Sequence, residues 1–472
     1  MAISPDSSDP ADGADGSGAD GSPTTGADGP TSAAGGSPSP DGGETGEASR
    51  AATAEAEGRT ALDTVRSIVS DHAVHIGVIV LFAIYPLAYT QLIALPVIGQ
   101  ELELLFPRTR TMVAVLYVGL FAMSFDFISG YTGYLSFGHS MFYGIGAYLV
   151  VLSVNGKVPF LGGIESLLLL ALVGGLLAMG AALLVGAVSF RLSGVYFAMV
   201  TLGFAEVAHV FIRNWDYVSS NPRDGASLGN NAVSIGLPEW GPLPNWNVTI
   251  GQIVGSEFPN VLGTGFDLSK ADVSFYAVGI VVLLSYFAMQ RIIHSPYGKV
   301  MIAIRENEER ARAVGYNTFY YKMGAFAMSA FFAAIAGGLL AGYKRSVAPE
   351  NTFDLFVTAD ALLAAIIGGF GTLAGALYGV LFQDTLEDFL STEEGLAPYL
   401  RENLSESTMD TVVGDGIDLL LNGRAGLYIG IVFILFVLYV PEGILGTLRS
   451  RLGGTVAEKL PERFERYRGG NQ

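Results

Sequence analysis

The chain has 472 residues, half of them hydrophobic and only 15% charged, with a mean hydropathy of +0.44. A soluble domain carries about a quarter charged residues. Cysteine is absent, which excludes disulfides, thiolate metal sites and cysteine nucleophiles, and the net charge of −18 argues against a nucleic-acid partner.

Residues 1–60 are a near-repeat of Asp, Gly, Ala, Ser and Pro. Acids there face only Arg50 and Arg59, so the segment holds a large part of the chain's negative charge. With few large apolar residues it cannot offset the entropy of ordering, and it is expected to be a disordered, solvated tail. It lacks the basic start and apolar core of a signal peptide. Acidity of this kind suits a halophilic setting, where carboxylates keep soluble faces hydrated.

From residue 73 to 446, apolar runs alternate with charged segments. Ala73–Val97, Ser166–Ser189, Gly194–Ile212, Val273–Ile293, Met323–Tyr343 and Leu427–Leu445 have the length and composition of spans. Thr111–Val154 and Thr358–Phe382 are apolar but interrupted by glycine. The expected fold is therefore an all-α polytopic membrane protein with about 8–10 transmembrane or half-spanning helices.

The loops differ in charge. The loop 294–322 carries Lys299, Arg305, Arg310, Arg312 and Lys322, and the tail 447–472 is also basic. The loops 216–272 and 384–425 are acidic, with two basic residues each: Arg223 and Lys270 in the first, Arg401 and Arg424 in the second. The excess of Lys and Arg places 294–322 and the C-terminal tail in the cytoplasm and the two acidic loops outside. Thr358–Phe382 must then begin and end on the outer side. At about 1.5 Å per residue it is too short to cross twice. It is expected to be two half-crossings hinged at Gly368-Gly369-Phe370-Gly371-Thr372, since irregular backbone survives at that depth only inside protein or beside water; the alternative is one ordinary span, with the orientation inferred from charge in error.

Three motifs carry chemistry. The first runs Gly130-Tyr131-Thr132-Gly133-Tyr134-Leu135-Ser136-Phe137-Gly138-His139, with Asp126 just before it. Its glycines permit close backbone approach and helix breaks. Its polar groups either pack between helices or line a solute path. The second, Gly194 to Glu206, includes Thr201 and places Glu206 past mid-depth of an apolar span. That carboxylate either pairs, lines a cavity or reaches the outer headgroups. The third is the loop segment Ala303 to Asn317. Val300, Ile304, Ala311 and Val314 recur at helical spacing, predicting one short helix with an apolar stripe and a charged back, stopped at Gly315. No phosphate-binding loop occurs, so no ATP hydrolysis is expected on this chain. No nucleophile with its base and no metal site is apparent either.

These blocks, in this order, resemble the LivM-type permease of branched-chain amino acid ABC transporters. The likeness covers roughly residues 110–215 and 290–446, including Gly368 to Gly375 and Tyr439-Val440-Pro441-Glu442-Gly443. Glu309, Ala311 and Gly315 are similar to the start of the loop that importer permeases insert into a cleft on their ATPases. The resemblance implies an ATPase-coupling segment of Ile304, Arg305, Glu306, Asn307, Glu309, Ala311, Val314 and Gly315. It also implies a translocation path near Asp126, Gly130, Gly133, Ser136, His139, Thr201, Glu206, Gly368, Gly369 and Gly371. The implied partners are a LivH-type second permease, two cytoplasmic ATPases carrying ATP and Mg, and an extracytoplasmic binding protein delivering leucine, isoleucine or valine. Asp126 stands where the family often has Asn, the loop 384–425 looks like an insertion, and the Ile-x-Leu-Pro that completes the longer coupling signature is missing. A urea or amide permease shares the same blocks, and an ion-coupled secondary transporter would also suit broken helices with a buried acid.

Overall fold

A computed structural model describes residues 73–93, 106–192, 194–229, 233–236, 248–259, 267–390 and 425–440, with Leu102, Asn231, Tyr399, Gly443, Ile444 and Thr447. The tail expected over 1–60, most of 447–472, most of 391–424 and the residues Asn247, Asn403, Pro441 and Glu442 lie outside the described residues. The chain divides into two compact units, 1–77 and 78–472. Of the first, only residues 73–77 are described, as the opening of a helix.

The described residues form α1 (Ala73–Ile93), α2 (Thr109–Thr132), α3 (His139–Val154), α4 (Leu167–Ser189), α5 (Val195–Arg213), α6 (Lys270–Ile293), α7 (Pro296–Glu306), α8 (Glu308–Ala313), α9 (Thr318–Lys344), α10 (Leu355–Gly368), α11 (Leu373–Leu390) and α12 (Ala425–Tyr439). Two small antiparallel pairings, β1 (Ala226–Ser227) with β4 (Ser346–Val347) and β2 (Ser234–Ile235) with β3 (Val248–Thr249), complete them. Among the described residues, six helical stretches are long and apolar enough to cross a membrane: α2, α4, α5, α6, α9 and the stretch Pro349–Gly368, which ends with α10. The protein is a multi-pass, all-α membrane protein.

Helix starts follow capping chemistry. Ser269 caps α6 in a reciprocal box with Asp272, and Ser295 caps α7 just before Pro296. Asp354 caps α10 by accepting from Phe356 N at 2.8 Å. Each such cap satisfies an orphan amide and contributes about 1 kcal/mol.

Helices α2 and α9 form the middle of the bundle and are the most deeply buried spans. Helices α3, α4 and α2 pack on α9, while α6 and α11 pack on α2. The crossing of α3 with α9 brings backbones together: a Cβ on Gly146 would lie 1.9 Å from Ala334 O, and one on Gly337 1.9 Å from Tyr143 O. Without a hydrophobic drive between helices in lipid, such small-residue contacts supply the packing attraction.

The glycine-interrupted Thr111–Val154 is two helices, α2 and α3, joined by non-helical Gly133–Gly138. Gly133 ends α2 in the left-handed conformation (φ 78°), its N–H donating to Ser129 O at 3.1 Å, the usual role of a glycine just past a helix.

The stretch Thr358–Phe382 is a helical hairpin, α10–α11, turning at Gly369–Thr372. The hairpin begins and ends at the same end of the bundle. Helix α10 follows the C-terminal end of α9, and at the far end of α11 Asp388 accepts from Thr111 at the start of α2 (2.6 Å). The legs extend beyond the expected bounds to 14 and 18 residues. The tip meets Gly130 and Arg305 at the opposite end, so the hairpin reaches farther than two half-crossings. A Cβ on Gly368 would sit 1.7 Å from Gly375 O, and one on Gly379 1.8 Å from Ala364 O. Only glycine lets the legs approach this closely.

Candidate functional site

The segment between α6 and α9 is not the single short helix that its apolar spacing predicts. Asn307 leaves helical geometry (φ −163°, ψ 103°), ends α7 and caps α8 by accepting from Arg310 N at 2.9 Å. The apolar stripe is also divided. Val300, Ile304 and Ala311 are buried in a cluster with Tyr134 and Tyr321 of the same chain, so no partner is needed to cover them. Val314 is 74% exposed, with exposed Tyr316, Phe319 and Tyr320 beside it. Glu306, Asn307, Glu309 and Gly315 are exposed. Gly315 has φ 99° and open space around a would-be Cβ, so it serves the turn out of α8.

Glu308 anchors this segment. Its carboxylate accepts from Lys322 Nζ (2.8 Å), Arg312 Nη2 (2.6 Å), Thr318 Oγ1 (2.8 Å) and the Tyr134 hydroxyl. Lys322 is only 3% exposed and lies 4.5 Å from the Tyr134 ring centroid, adding a cation–π contact to the ion pair. Partial burial of Glu308 raises its pKa, but hydrogen bonds from Lys322, Tyr134 and Thr318 outweigh this and bring it down to about 2. In the sequence Lys322 is one more basic residue of the loop 294–322, and Glu308 is part of the charged back of the segment 303–317. The available signal was a lone lysine five residues into α9, which demands a counter-charge once buried.

A second joint ties the same segment to the hairpin. The Arg305 guanidinium donates to Gly130 O near the end of α2. A Cβ on Gly371 would lie 2.8 Å from Arg305 Nη1, and one on Gly130 2.8 Å from Gly371 Cα. Gly371 N donates to Asp126 Oδ1 at 2.8 Å. Asp126 is fully buried, and its Oδ2 has no hydrogen-bond partner. Thus Asp126, Gly130 and Gly371, read as path residues, and Arg305, read as a coupling residue, form one contact. Gly369 (φ 124°) makes the turn beside it, while Gly133 packs against the Arg305 side chain.

The remaining path residues separate. His139 is fully buried among Phe121, Phe125 and Phe142, with Nε2 3.1 Å from Ser124 Oγ and 3.3 Å from Ser329 Oγ. Ser136 is buried and its hydroxyl has no partner. Thr201 is buried too, its hydroxyl donating to Ala198 O (2.9 Å), and its carbonyl presses on Gly138. Glu206 stands apart. Its side chain is 60% exposed on the outer face of α5, 3.9 Å from His209 Nδ1.

A family model described as "Branched-chain amino acid transport system / permease component" matches residues 108–400. That is well over half of the chain. The chain belongs to this family. The match contains the broken α2–α3 element, both joints and the hairpin. The chain is 30% identical over 286 residues to the LivM permease protein of the Escherichia coli high-affinity branched-chain amino acid transport system, covering 60% of this chain and 63% of that relative. It thus spans just under two thirds of that relative's length. Identity to the probable LivM of Methanocaldococcus jannaschii is 28% over 137 residues, 29% of this chain and 39% of the relative. Identity to the LivH permease protein of Salmonella typhimurium is 24% over 337 residues, 69% of this chain and 90% of the relative. No solved structure matches significantly.

Proposed function

We propose that this chain is a membrane-spanning permease subunit of an ATP-driven importer in the cell membrane, carrying branched-chain amino acids. The solute class rests on the names of the LivM and LivH relatives. In this reading the chain pairs with a LivH-type permease and receives solute from an extracytoplasmic binding protein. Two cytoplasmic ATPases bearing ATP and Mg drive it.

One observation carries the reading: the end of α8 and the start of α9 leave Val314, Tyr316 and Tyr320 exposed, while the α7–α8 segment grips the membrane helices through Glu308 and Arg305. A partner that pushes on α8 moves Tyr134 beside Gly133–Gly138 through Glu308. Through Arg305 it moves the hairpin tip and the end of α2. The α7–α8 end is then cytoplasmic, as the basic charge of 294–322 indicates, and β1–β4 lies outside.

Single cysteines test the sidedness without background, since the chain has none of its own. An impermeant thiol reagent applied to intact cells should label Ile253→Cys, 75% exposed, and spare Val314→Cys. The reverse pattern would contradict the reading. Reconstituted with partners, the chain should take up leucine only when ATP is present on the cytoplasmic side. Uptake driven by an ion gradient without ATP would favour a secondary transporter.

A further inference from the structure

The exposed faces of the spans are not alike. On α4 the exposed large side chains are Leu172, Leu176, Leu177, Leu183, Leu184 and Val188, all suited to lipid. On α5 the exposed face, from Met199 to Val210, is interrupted by Gly203 and Glu206. A carboxylate costs about 2.5–3.5 kcal/mol or more at the centre of a lipid-facing helix and less toward its ends, so Glu206, just past the middle of α5, favours a face that meets water or protein.

Behind Glu206 lies His209, one turn further along α5. Its side chain is 7% exposed, and neither ring nitrogen has a hydrogen-bond partner. Nδ1 lies 3.9 Å from Glu206 Oε2 and 3.9 Å from Asp354 Oδ2. Asp354 uses Oδ1 to cap α10, leaving Oδ2 for this cluster. Among the described residues, no Lys or Arg pairs with either carboxylate. Arg213, a further turn along α5, lies 3.6 Å from Glu350.

We propose that Glu206, Asp354 and His209 form the site that takes the ammonium group of the transported amino acid. This rests on the importer reading above. Glu206 Oε2 and Asp354 Oδ2 each lie 3.9 Å from the same atom, His209 Nδ1, so the two carboxylates converge on one point, and an ammonium has three donors to share between their oxygens. A cation between the two carboxylates also removes the cost of leaving them uncompensated in an apolar span. His209, only 7% exposed, packs behind the two carboxylates. The site sits on α5 beyond its midpoint, toward the end where β1–β4 lies, which suits a first binding position for solute arriving from outside.

The test is initial uptake of radiolabelled L-leucine by the complete importer in proteoliposomes, with leucine-loaded binding protein saturating, so that the rate reports on the membrane subunits. Glu206→Gln and Asp354→Asn keep size and, for Asn, the α10 cap. Each should lower uptake at least tenfold while the second permease and ATPases co-purify normally. Glu206→Asp should recover part of the loss, and Glu206→Lys, which tethers an ammonium in the site, should abolish uptake. Wild-type leucine uptake with Glu206→Gln and Asp354→Asn within twofold of it would overturn the site and leave the importer reading standing. Loss of the second permease from the Glu206→Gln complex would overturn it too, assigning the carboxylate to a subunit contact. A wild-type importer that takes up no leucine would overturn both.

Discussion

Lys322 Nζ lies 2.8 Å from the Glu308 carboxylate, joining the first turns of α9 to the first residue of α8. Lys322 is almost entirely buried, so its charge depends on Glu308 for compensation. Glu308→Ala should therefore cost about 3 kcal/mol of stability. The double variant Glu308→Ala/Lys322→Met, which removes both charges, should recover most of that. Thermal melts in detergent measure both. A double variant no more stable than Glu308→Ala would show that the pair is not coupled.

The same carboxylate gives a pH dependence. The folded-state pKa of Glu308, about 2, is below its ordinary value of 4.5. Its contribution is fully present above pH 4.5 and fades as pH falls from there toward 2. The stability gap between wild type and Glu308→Gln should therefore be constant from pH 7 to 5 and narrow below 4.5. A gap that widens on acidification would mean the carboxylate is not held by these donors.

Hairpin closure depends on two glycines. Gly368→Ala and Gly379→Ala would each drive a methyl into a carbonyl of the opposing leg and should cost about 1–3 kcal/mol. Gly180→Ala on α4, with nothing within 4 Å of its would-be Cβ, should be neutral or gain up to about 1 kcal/mol. Melting of the three variants side by side separates close approach from general helix propensity. Equal effects would mean the legs are not in contact.

The spans were legible because bilayer crossing imposes length and hydropathy directly on the sequence. The ends of α4, α5, α6 and α9 fall within a few residues of their expected positions. The turn at Gly369–Thr372 was legible for a related reason: the charge-derived orientation of the flanking spans calls for a stretch that returns to the side it left. What contacts decide was not legible. The spacing of Ile304 and Ala311 fits one continuous helix, but Asn307 between them breaks it by capping α8. The stripe is covered by Tyr134, distant in sequence, and Tyr321, which periodicity cannot reveal. The depth of Glu206 followed from counting along α5, yet the face it occupies depends on where α3, α4 and α10 pack. Asp126 and Arg305 meet only because the hairpin tip and α7 converge on the end of α2.

The importer reading stands or falls on the exposed side of α8. Ala311 is unsuited to testing it, because a change there disturbs the chain's own cluster with Tyr134. Val314 is the better probe, being 74% exposed on the α7–α8 segment. The measurement is co-purification of the ATPases with the Val314→Asp variant, alongside ATP-dependent leucine uptake. The account predicts a chain that inserts and melts like wild type but loses both the ATPases and uptake. A Val314→Asp complex that retains its ATPases and imports leucine at the wild-type rate would contradict it.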